Sequence, residues 1–80
     1  MNVCNLLGKI IENVSFDFIY KGKAVSIARS KILCGSSVID IYGYDNVADY
    51  MYRNINVGDI VYIYGNISKF GVLCKYIVKV

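Results

Sequence analysis

Between Asp45 and Ile55 the apolar residues change their spacing, and they do so once in the chain. Val47, Tyr50, Met51 and Ile55 stand at i, i+3, i+4 and i+8, one face of an α-helix. The segments on either side alternate instead at every second residue, as strands do. Val3 to Ile11 puts Cys4, Leu6, Gly8 and Ile10 on one face and Asn5, Leu7, Lys9 and Ile11 on the other, and Asn13 to Tyr20 reads as its curved continuation. A turn at Lys21-Gly22-Lys23 leads into a second strand, Ala24 to Ser30, and Cys34-Gly35-Ser36-Ser37 turns into a third, Val38 to Tyr44. Asp45 or Asn46 can cap the helix, which ends at Asn56-Val57-Gly58-Asp59. Ile60 to Ile67 forms a fourth strand, with Val61, Ile63, Gly65 and Ile67 inward and Tyr62 and Tyr64 outward. Ser68-Lys69-Phe70-Gly71 is a hairpin turn into a fifth, Val72 to Val80, whose Lys75 and Lys79 share a face.

Three strands, a helix and two more strands make an all-β chain with one short helix. That element order is the order of the OB-fold, a five-stranded, partly open Greek-key barrel. An SH3-like barrel, the other small barrel considered, would carry a turn or a short 3₁₀ segment where the amphipathic stretch stands. Eighty residues allow a single domain, 1–80, with a thin core that assembly with a copy or partner would help to stabilise. A hydrophobic fraction of 56% with a net charge of +3 excludes disorder. The longest apolar run, Ile60 to Tyr64, is far short of the roughly twenty residues of a membrane span. The start lacks a basic segment followed by a long apolar one, so the expected location is cytoplasmic, with no membrane partner.

The inventory of reactive groups argues against catalysis. There is no histidine for a Ser-His or Cys-His pair and no glycine-rich phosphate loop, and the six carboxylates are scattered. The three cysteines, Cys4, Cys34 and Cys74, form no C-x-x-C pair and read as small buried residues. A non-enzyme without cofactor, metal or small-molecule substrate is expected.

Three blocks in order, Asn2-x-x-x-Leu6-Leu7-Gly8-Lys9, Val47-Ala48-Asp49 and Val57-Gly58-Asp59-Ile60-Val61-Tyr62-Ile63-Tyr64-Gly65-Asn66-Ile67, resemble the bacterial-type single-stranded DNA-binding (SSB) proteins. That family reads N-x-V-x-L-I-G-x-L, L-A-E and K-G-D-x-V-Y-V-x-G-x-L. The turns at Cys34-Gly35 and Lys69-Phe70-Gly71 are shorter than the family's DNA-wrapping hairpins, and the sequence ends at Val80, without the acidic tip that recruits other replication proteins. In proportions it is similar to the tailless primosomal OB proteins. The resemblance implies single-stranded DNA binding in replication, repair or mobile-element biology, and pairing of subunits through the first strand. The family's stacking aromatic at the end of strand three falls on Tyr44, its tryptophan positions fall near Leu33 and Val38, and Phe70 takes the place of the hairpin aromatic.

Read from the residues, outward Tyr42, Tyr44, Tyr62 and Tyr64 offer faces on which bases can stack without sequence preference, to which the resemblance adds Phe70. Lys9, Lys21, Lys23, Arg29, Lys31, Lys69, Lys75 and Lys79 are interleaved with them and can neutralise phosphates, with Lys9, Lys31, Lys69 and Lys75 the expected site residues. The expected partner is single-stranded DNA, with RNA left open. Asp40, on the same face as Tyr42 and Tyr44, opposes this, and outward tyrosines also cover subunit interfaces. The alternative is therefore an OB-fold interaction or assembly module without nucleic-acid binding. On the first strand Asn5 and Leu7 mark the expected contact of a homodimer or homotetramer, where Leu7 and Ile11 would otherwise face water.

Overall fold

The computed structural model describes residues 2–20 and 22–80. Seven elements follow one another: β1 (Val3–Ile10), β2 (Ser15–Tyr20), β3 (Ala24–Cys34), β4 (Ser37–Tyr44), α1 (Asp45–Asn54), β5 (Ile60–Ser68) and β6 (Gly71–Lys79). The strands lie in the order β1-β5-β6-β4-β3-β2, and a further pairing of β1 with β3, Lys9 opposite Leu33 and Ile10 opposite Ile32, closes five of them into a barrel. All pairings are antiparallel except the short β4–β6 contact at Ile41/Val72 and Tyr42/Leu73. This is the expected OB-fold.

The expected first strand is present as two. Residues 11–14 leave the ladder, yet the chain stays on the same partner: the Ile11 N–H donates to the Lys31 carbonyl at 3.0 Å and the Ser30 hydroxyl to the Glu12 carbonyl at 2.7 Å. β2 then continues along β3 as a sixth strand outside the barrel. β3 runs four residues past the expected end at Ser30, to Cys34. The turn before it contains Gly22 at φ +78°, while Lys21 lies outside the described residues.

Inward residues from every barrel strand meet in one core, with Ile10, Ile32, Ile41, Val61, Ile63 and Cys74 fully buried. α1 closes one end through Ala48, Met51 and Ile55. The expected cap at Asp45 or Asn46 is not made: Tyr44 is the N-cap residue with no side-chain bond, and Asp45 is itself the first helical residue at φ +52°. The strand turns into the helix too sharply for an ordinary cap, and an aspartate tolerates the left-handed backbone better than most residues do.

A bulge between Tyr64 and Gly65 re-phases β6. Tyr64 faces Tyr76 and Gly65 faces Cys74, so Lys75 is the extra residue, and a side chain at Gly65 would start 2.0 Å from the Leu73 carbonyl oxygen. Lys75 and Lys79 consequently do not share a face: Lys75 points out, while Lys79 stands opposite buried Val61 at the barrel rim and reaches Asp59 at 3.9 Å. Ile67, expected inside, is 55% exposed although its β6 partner Val72 is buried, and it stands one residue past Asn66, where the β1–β5 ladder ends.

The cysteines form no disulfide. Cys74 is buried, and desolvation pushes its thiol up to about 12; Cys4 and Cys34 are half-buried. Among the described residues no helix is long and apolar enough to cross a membrane.

Candidate nucleic-acid interface

Strand register arranges the outward side chains of β2, β3 and β4 in rows across one wall. Lys9, Leu33 and Val38 form one row; Lys31 and Asp40 a second; Ser15, Arg29 and Tyr42 a third; Asp17, Ile27 and Tyr44 a fourth. The middle rows and Phe70 from the β5–β6 turn enclose a groove of about 540 Å³. Gly71, at φ +118°, lets that turn lie against β4, since any side chain there would start 2.3 Å from the Asp40 carbonyl oxygen.

The aromatic groups of this wall differ in what they can offer. Tyr42 is 9% exposed and its hydroxyl shares a 2.7 Å hydrogen bond with the Ser68 hydroxyl, so its ring is wall rather than platform. It holds Tyr44 edge-on, ring centroids 5.8 Å apart. Phe70 is 69% exposed, with the Lys69 ammonium 5.2 Å from its ring centroid.

The charges are arranged against one another. Lys31 donates to the Asp40 carboxylate at 2.9 Å and lies 3.9 Å from Glu12. The hydrogen bond and charge of Asp40, aided by Glu12, push the Lys31 ammonium above its ordinary value. Arg29, one row away, is exposed and has no ion pair among the described residues. It is one of the cations that the sequence interleaves with the tyrosines, and the β3–β4 register sets it opposite Tyr42.

The remaining candidates stand on a different wall. Tyr62 and Tyr64 project from β5 beside Tyr76 of β6, with Tyr62 and Tyr76 rings 6.3 Å apart. Tyr62 donates to Asn5 Oδ1 at 2.5 Å, and Leu7, opposite Tyr62, is 61% exposed. Lys75, the bulge residue, lines a shallow pocket with Tyr76 and with Asn46, Val47 and Tyr50 of α1. The structure thus brings Lys9, Lys31, Tyr42, Tyr44 and Phe70 together, with Lys69 at the rim, and separates from them Tyr62 and Tyr64, which join Asn5 and Leu7, and Lys75, which lies beside α1.

β1 also leaves a backbone edge open. The Asn2 carbonyl and the Ile10 N–H bond toward β5, so the even-numbered residues point there. The odd-numbered ones point the other way, where β3 meets Lys9 but no described strand meets Val3, Asn5 or Leu7. An unpaired edge of this kind is a template for a further strand.

No family model matches the sequence, and no curated protein matches it. Solved structures do. The SSB domain of a Synechococcus protein superposes with a TM-score of 0.82 at 17% identity, covering 96% of this chain and 93% of that one. The single-stranded DNA binding protein from Thermus aquaticus gives 0.82 at 14% identity; the chain is covered completely but spans 40% of that protein. The N-terminal domain of PriB from Thermoanaerobacter tencongensis, described as dimeric, gives 0.71 at 19% identity over 99% of this chain and 96% of that one. Likeness at such identities concerns the path of the backbone, and on that ground the chain has the OB-fold of SSB domains and PriB, in its minimal form.

Proposed function

We propose that the β2–β3–β4 wall binds single-stranded DNA with little sequence preference and without chemistry. The observation that carries this reading is the groove itself, in which Arg29, a cation without an ion pair among the described residues, lies between a half-exposed tyrosine, Tyr44, and an exposed phenylalanine, Phe70. Bases stack on Tyr44 and Phe70, Tyr42 keeps Tyr44 upright, and Arg29, Lys9 and Lys69 meet phosphates, while Lys31 is held by Asp40 and joins them only when freed from it. Proteins of the same fold that are described as binding single-stranded DNA support the assignment of nucleic acid as the ligand. The open edge of β1 and the apolar wall around Leu7 support a dimer as the working form.

The test is a fluorescence-anisotropy titration of a labelled dT oligomer at about 50 and 200 mM salt, with the matching U oligomer and a DNA duplex as competitors. The affinity falls with salt by a log–log slope of about 0.7 for each phosphate neutralised, and the duplex competes poorly. Absence of binding at about 50 mM salt rejects the reading. If self-association persists in that case, the protein is an assembly module, a role that the Lys31–Asp40 pair inside the groove favours.

A further inference from the structure

The ribbon formed by β2 and β3 has a second face that the groove does not use. β3 meets β4 only from Ile27 onward, so Ala24, Val25 and Ser26, with their partners Tyr20, Ile19 and Phe18, stand beyond the end of β4. Ile19 faces the groove, whereas Phe16, Phe18 and Tyr20 alternate onto the opposite side. There Phe16 meets Tyr52 of α1 at a ring-centroid distance of 5.0 Å and Phe18 edge-on at 5.4 Å. Packing accounts for Phe16, which is half-buried. It does not account for Phe18 and Tyr20, which are 72% and 79% exposed, or for Tyr52 at 59%. Large apolar rings left in water together mark a contact surface.

We propose that this aromatic ladder is the second segment of the single-strand track, taking up bases that leave the groove at Ile19 and Tyr44 and pass over the edge of β2. The proposal rests on the groove reading. β2 is the last strand of the sheet, so no described strand obstructs the crossing. The rings repeat every second residue along β2, about 6.6 Å apart by strand geometry, and stacking asks nothing of base identity. Charge agrees at the tip, where exposed Lys23 has no ion pair among the described residues. On the helix Asp49 is held by Arg53 at 2.8 Å, which leaves two carboxylates that a phosphate must avoid, Asp45 near the groove end and exposed Asp17 of β2 in the row of Ile27 and Tyr44.

Two dT oligomers separate this segment from the groove: one of about five nucleotides, near the lower limit for an OB-fold, and one of about sixteen, near the upper. Phe18→Ala/Tyr20→Ala in the full chain leaves affinity for the short oligomer within about twofold and lowers affinity for the long one by roughly fivefold per ring, the lower bound for a lost stack. Tyr20→Trp retains the long-oligomer affinity. Because the chain has no other tryptophan, the indole reports directly, with quenching by the long oligomer and none by the short. Unchanged long-oligomer affinity with an unquenched indole overturns the proposal while leaving the groove in place. Failure of both oligomers to bind removes the groove reading and this proposal with it. A fall in sedimentation mass for the double variant, with DNA binding intact, overturns it by giving the rings to a contact between copies.

Discussion

Replacing Asp40 by asparagine tests whether the groove carries its own competitor for phosphate. Lys31 sits 2.9 Å from Asp40, and a phosphate must take it from that carboxylate before it counts as a contact. Both side chains are well exposed, 40% and 61%, so water already screens the pair and its loss costs the fold little. The effect belongs to binding. Freed of its partner, Lys31 adds one neutralised phosphate, which steepens the plot of log affinity against log salt by about 0.7 for a single strand. Across one decade of salt that slope is about a fivefold change in affinity. Anisotropy titrations of a labelled dT oligomer at several salt concentrations, for the parent chain and Asp40→Asn, measure both slopes directly. The double variant Asp40→Asn/Lys31→Gln returns to the parent slope or below it. Parallel lines for parent and Asp40→Asn would refute the reasoning, since they would mean that Lys31 either never leaves Asp40's side of the groove or is already on a phosphate.

The separation of the tyrosines between two walls makes them distinguishable: Tyr44→Ala weakens binding of short dT oligomers by about 1–3 kcal/mol, whereas Tyr64→Ala leaves it unchanged, and equal losses in the two titrations would put the track elsewhere. Gly65→Ala drives a methyl group into the Leu73 carbonyl and destabilises the barrel by about 3 kcal/mol, which a thermal melt reads as a fall in Tm of roughly 12 °C or more. Cys74 keeps its proton up to about pH 12 when folded but releases it from about pH 9 when unfolded, so the folded state holds more protons in that window and its contribution is lost as the pH rises through it. The melting-temperature advantage of the parent over Cys74→Ala should therefore shrink between pH 9 and 11, and a constant gap would count against burial of the thiol. Leu7→Lys places a charge beside the open backbone edge of β1 and lowers the sedimentation mass from dimer to monomer; a parent chain that is already monomeric at micromolar concentration removes that interface.

Much of this protein was legible locally. The change from period two to helical spacing at Val47, Tyr50, Met51 and Ile55 marks α1, and alternation assigns Ile10, Ile41, Val61 and Ile63 to the core, because a side chain's face is set by its own strand's pleat and needs no partner. What alternation cannot say is which wall an outward residue joins. Tyr42 and Tyr62 carry the same outward signal, but one lies on β4 beside Arg29 and the other on β5 beside Leu7, a choice made by strand pairing between residues far apart in sequence. The bulge at Lys75 is likewise invisible to period counting, since it arises where Gly65 lets the Leu73 backbone approach more closely than any side chain would allow. So too with Lys31: as a cation it was plain in the sequence, but its engagement by Asp40, nine residues away across the β3–β4 register, exists only once the two strands lie side by side.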